Sequence, residues 1–133
     1  MSQFLTSARA INISLLLLTT VLFVHVLVLV GVVPYTVVWG GRIESQEQMQ
    51  VSEMISIVSV MLMMWVLAMK SRRLSQVIPE KVLDVIIWAI AVLFGLNTLG
   101  NFLSENIFEK VFFTPLTLLL MVLCVRIVRA KSE

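Results

Sequence analysis

Apolar residues fall into four long runs, separated by three short polar stretches. The first run, Asn12 to Val33, holds 22 residues and no formal charge. As a helix it extends about 33 Å, enough to cross a hydrocarbon core of about 30 Å. Pro34 predicts its end or a kink there, and Tyr35 and Trp39 suit the aromatic belt at a membrane surface. The run is longer than the core of a signal peptide and no A-x-A site follows, so a retained helix is expected. Gly40-Gly41-Arg42 and the polar run Ser45 to Gln50 then read as a surface turn.

The second run covers about 51–69, with Glu53 in its first turn. Ser52, Ser56, Ser59 and Met63 line one face of it, a stripe that suits close helix–helix packing. A basic loop with Pro79 leads to the third run, about 82–103, where Asp84 suits the helix N-terminus. The fourth covers about 111–128, with Thr114-Pro115-Leu116-Thr117 in its first turns, where proline is tolerated. The expectation is all-α: helices at about 11–34, 51–69, 82–103 and 111–128 in one membrane domain, 1–133. Short connections make it an antiparallel four-helix bundle.

Charge orients it. Arg9, Lys70, Arg72, Arg73, Lys81, Arg126, Arg129 and Lys131 fall on one side of such a bundle, and only Arg42 and Lys110 on the other. This asymmetry predicts that both termini face the cytoplasm. Composition agrees, since only 14% of residues are charged against about 25% in a soluble domain. The single cysteine, Cys124, excludes an internal disulfide and C-x-x-C redox chemistry within one chain. With His25 as the single histidine, a conventional zinc site would need acidic ligands or a second subunit. His25 is read as neutral and hydrogen-bonded to a neighbouring helix, with a proton relay or a metal or haem ligand as the alternative. Cys124 reads as a small buried hydrophobe.

With that topology the unusual polar residues gather at the outer end of the bundle. Asn97 and Asn101 are four apart and share a helix face, which Glu105 continues. Unpartnered amides are costly in hydrocarbon, so both are expected to point into protein. Arg42, Glu53, Asn97, Thr98, Asn101, Glu109, Thr114 and Thr117 form the candidate cluster. One reading is an outward-facing polar pocket, with Glu53 as its ionisable centre, Arg42 as partner or anion clamp, and the asparagines as walls. The other is structural: Glu53 caps its helix and pairs with Arg42 or Lys110, and the asparagines hold the third helix to its neighbours.

The pieces Val38-Trp39-Gly40-Gly41-Arg42, Leu96-Asn97-Thr98-Leu99-Gly100-Asn101 and Phe113-Thr114-Pro115-Leu116-Thr117 resemble a group of small, uncharacterised bacterial integral membrane proteins. The resemblance implies a four-helix architecture and a bacterial inner membrane, and carries no activity. Small multidrug-resistance transporters are similar in size alone, because their essential glutamate lies inside a first helix that here has no acid.

A nucleophile–base pair or a metal cluster is not recognisable, so a non-enzymatic role without cofactor or metal is expected. The basic residues are too few and scattered for nucleic acid. The expected function is a binding or accessory protein that holds a lipid head group, a small ligand or a membrane partner. Expected partners are membrane lipids, a larger membrane complex or further copies of the chain. The alternative is a small oligomeric transporter or channel, against which the scarcity of inner-half polar residues weighs.

Overall fold

A computed structural model of the chain describes residues 5–38 and 42–130. Among these the fold is all-helical, with α1 Ser7–Leu29, α2 Gln46–Lys70, α3 Glu80–Phe102 and α4 Thr114–Arg129. A π-helical turn, Glu109–Phe113, runs directly into α4. All four spans are long and apolar enough to cross a membrane. Leu16, Phe23, Val85 and Val92 point outward and are well exposed, as lipid-facing side chains do.

The helix ends differ from the sequence expectation for local reasons. The first helix starts at Ser7, because the Thr6 hydroxyl caps it by accepting from Arg9 N–H. It stops at Leu29 rather than near Pro34, because Gly31 adopts φ 85°. Gly31 N–H then donates to Val28 and Val32 N–H to Leu27, the paired bonds of a Schellman stop. Pro34 instead leads into a single 3-10 turn, Tyr35–Val37.

The second helix begins five residues before its expected start. Ser45 caps it by accepting from Gln48 N–H, and the Gln48 side chain accepts from Glu44 N–H. The stretch Ser45–Gln50, expected as a surface turn, is therefore a cap and the first turn of α2. Glu53 moves from the first turn into the second, about 10 Å along the helix. The C-terminus of α2 is another Schellman stop, with Arg72 in the left-handed position at φ 62°.

Pro115 lies in the first turn of α4, as expected, but the helical path begins earlier. Pro115 sits within a continuous helical span, Glu109–Arg129. Proline lacks a donor and crowds the carbonyl four residues back. The helix accommodates it by widening the preceding turn, where Thr114 N–H reaches Glu109 across five residues.

Three neighbouring pairs pack closely: α3 on α4, and α1 on both α2 and α4. The fourth side, between α2 and α3, is the loosest. At one end that seam is pinned by Lys70, whose Nζ lies 2.6 Å from Asp84 and 3.0 Å from Glu80. Asp84, expected to serve the helix N-terminus, is thus engaged across the seam. Near this end Leu67, Met69, Leu83, Ile87, Leu120, Leu123 and Ile127 form a fully buried apolar core, with Cys124 among them. At the other end Val28, Val38, Ile43 and Met49 form a smaller cluster. The Asn106 side chain donates to Thr36 O at 3.2 Å and ties the α3–α4 connection to the α1–α2 connection.

Candidate functional site

A cavity of about 520 Å³ lies between the two apolar clusters and takes lining residues from all four helices. That volume is within the ordinary range of small-molecule sites. From α1 come Val21, Val24 and His25, and from α2 Ser56, Ser59 and Met63. From α3 come Asn97, Gly100 and Asn101, and from the span beginning at the π turn Glu109, Phe113 and Thr117. Arg42 reaches it from the α1–α2 connection.

The cavity meets the surface at the loose α2–α3 seam. Ile55 and Leu96 line it from opposite sides of that seam, and each is 62% exposed. Gly100 leaves room there, since a Cβ built on it would meet nothing within 4 Å. Ser56 and Ser59, expected to pack against another helix, face this cavity, and Met63 lines it while also packing in the apolar core. The small serines keep it open.

Its most unusual feature is an ion-pairing contact. His25 Nδ1 lies 2.6 Å from a carboxylate oxygen of Glu53, and Glu53 has no exposed surface. His25, one helix away, is a partner of Glu53 that the sequence expectation of Arg42 or Lys110 did not name. The length is that of a short, charge-assisted hydrogen bond. His25 lies four residues from the end of α1, and its ring reaches both Glu53 and the cavity.

The other sequence candidates divide between cavity and packing. Asn97 and Asn101 both line the cavity, but only Asn101 is partly enclosed by protein as expected; Asn97 is exposed at the seam, and Glu105 lies beyond the end of α3 and is exposed too. Glu109 lines it too, is 5% exposed, and accepts from Ser104 Oγ at 2.6 Å. Arg42 lies at its exposed rim. Arg42, Glu53 and Glu109 each interact with further groups of the protein. Thr98 belongs to packing: its hydroxyl lies 2.9 Å from that of Thr117, joining α3 to α4. Each threonine also reaches a carbonyl one turn back, Phe94 and Phe113, both at 2.7 Å. Thr114 does not line the cavity, and its buried hydroxyl has no hydrogen-bond partner among the described residues. Trp39, Gly40 and Gly41 lie outside the described residues.

No protein-family model, curated protein or solved structure matches the chain. The geometry therefore carries the functional reading alone. Among the described residues no three His, Cys, Asp or Glu side chains converge as metal ligands would. What the site offers is a pre-formed cavity with amides, a histidine–carboxylate pair and a basic rim, joined to the lipid-facing surface by an apolar seam. That arrangement suits binding and orienting a molecule with one polar and one apolar end.

His25 bonds to a neighbouring helix, as expected, but it was not among the candidate cluster residues although it lines the cavity. The signal was present: a lone imidazole near a helix end, on the same side as the polar cluster. Placing the helix end at Pro34 put His25 too deep and hid its relation to Glu53.

Proposed function

We propose that the chain is a multi-pass protein of the bacterial inner membrane whose cavity holds an amphipathic molecule drawn sideways from the bilayer. The helices run up and down, with both termini in the cytoplasm and the cavity in the outer leaflet. The charge asymmetry of the loops supports that orientation. A reporter within Ser45–Gln50 that reads out in the cytoplasm would overturn it.

One observation carries the reading: a largely apolar cavity that holds a few polar side chains is continuous with the α2–α3 seam, where Ile55 and Leu96 are exposed. A polar head can occupy the cavity while an apolar tail lies along the seam in lipid. The opposite half of the bundle is filled by buried Leu, Ile and Met side chains. That filling favours binding over passage across the membrane, for which polar residues would continue through both halves. The role is binding or accessory rather than catalytic.

Extraction of the protein in native lipid patches, followed by mass spectrometry of the retained lipids, tests this. Wild type is expected to keep one lipid class well above its share of the bulk membrane. Ser56→Phe, which fills the cavity from α2, is expected to lose that enrichment without a fall in melting temperature. Identical lipid profiles for both proteins contradict the proposal.

A further inference from the structure

The charged groups around the cavity are already engaged, and the groups left over are neutral. His25 and Glu53 hold each other at 2.6 Å, and Glu109 accepts from Ser104 at 2.6 Å. Arg42, Glu53 and Glu109 have interactions with the protein beyond these. Asn97, exposed at the seam, and Asn101, half-buried, line the same cavity one turn apart on α3, and neither side-chain amide has a hydrogen-bond partner among the described residues. Each offers a carbonyl acceptor and two N–H donors. The His25 ring adds its second nitrogen, because Nδ1 is committed to Glu53.

In a membrane such amides are costly unless something satisfies them. The satisfying group must both accept and donate, in at least two places about one helical turn apart, roughly 6 Å. A carbonyl only accepts and an ammonium only donates, and a zwitterionic head that combines a phosphate with an ammonium would have to give up the hydration of both charges to neutral amides. A hydroxyl does both. An anionic head would bring a charge into a partly dry cavity whose cation at the rim is already engaged, at a desolvation cost that neutral amides repay poorly.

We infer that the cavity recognises a lipid with an uncharged, polyhydroxylated head, a glycerol or a sugar, held by Asn97 and Asn101. The inference rests on the lateral-entry reading above and narrows it to one head-group chemistry. The hydroxyls exchange donor and acceptor roles with the two amides, and one reaches the free nitrogen of His25. The tail leaves between Ile55 and Leu96.

The test uses the full-length protein, delipidated in detergent and mixed with chain-matched diacylglycerol, glucosyl-diacylglycerol, phosphatidylglycerol or phosphatidylethanolamine. Retained lipid is counted by native mass spectrometry. Glucosyl-diacylglycerol, whose sugar hydroxyls can reach both amides, is expected to be retained in preference to both charged lipids and to diacylglycerol, whose single free hydroxyl can reach only one. Asn97→Leu and Asn101→Leu are each expected to weaken that retention about fivefold, the loss of one neutral hydrogen bond. Asn101→Ser, which keeps a hydroxyl, is expected to recover part of it. Since neither amide has an internal partner, melting temperatures are expected to stay close to wild type. Preferential retention of phosphatidylglycerol or phosphatidylethanolamine overturns the head-group assignment while leaving lateral lipid binding intact. Equal retention by the Leu variants overturns the role of the two amides. Retention of no lipid by any protein overturns the lipid-binding reading itself.

Discussion

His25 on α1 and Glu53 on α2 meet at 2.6 Å across a helix interface, and the carboxylate is fully buried. Each group makes the other tolerable at membrane depth. Removing the imidazole takes its short contact from a buried carboxylate, which then keeps only its further interactions with the protein, whereas changing both groups removes the buried charge as well. His25→Ala is expected to destabilise the protein by about 3 kcal/mol in detergent unfolding. Glu53→Gln keeps a neutral hydrogen bond and is expected to cost about 1 kcal/mol. The double variant His25→Ala/Glu53→Gln is expected to be more stable than His25→Ala alone. Additive losses would show that the two side chains are not coupled.

The Thr98–Thr117 contact joins α3 to α4 without charge. Interhelical bonds of this kind contribute about 0.6 kcal/mol in membranes. Thr98→Val is expected to cost about that much. Lipid retention is expected to be unchanged, because Thr98 does not line the cavity. A large loss of retention would place Thr98 in the site.

Arg72 ends α2 in the left-handed region, at φ 62°. A side chain pays for that conformation and glycine does not. Its ion pair with Glu80, at 3.6 Å, is exposed and weak. Arg72→Gly is therefore expected to stabilise the protein by about 0.5 kcal/mol, read as a rise in melting temperature. A fall would show that the ion pair outweighs the strain.

Pro115 explains the widened turn that presents Glu109. Pro115→Ala restores a donor, and an α-helical turn can then form in its place. Losing the extra residue rotates the preceding segment by about 100°. Glu109 is expected to leave Ser104 and the cavity wall, and lipid retention to fall. Spectra that show Glu109 unmoved in Pro115→Ala would assign the π turn to other causes.

The four spans were legible because uninterrupted apolar runs of this length have few alternatives. The gathering of polar residues was legible because any polar group stands out against such a background. Asn97, Asn101, Glu53, Arg42 and Glu109 do lie around one cavity or beside it. The helix ends were harder. Gly31 stops α1 through backbone geometry, which hydropathy does not register, and Ser45 with Gln48 begins α2 inside a stretch that looks like a loop. The His25–Glu53 pair follows from those two ends, so it was hidden with them. The serine stripe on α2 illustrates the remaining gap. Small residues allow close packing or leave a space, and only the position of the neighbouring helix decides which.

Met63 and Met61 offer the most direct test of lateral lipid binding, because they sit two residues apart on α2 with opposite surroundings. Met63 is buried and lines the cavity, whereas Met61 is 55% exposed on the outer surface. Replacing methionine with its photoreactive diazirine analogue in growing cells, followed by illumination and peptide mapping, reads the neighbours of both at once. Met63 is expected to carry adducts of one lipid class, and Met61 the mixture of the bulk membrane. The same mixture on both residues, or no lipid on Met63, would contradict a cavity that selects its occupant from the bilayer.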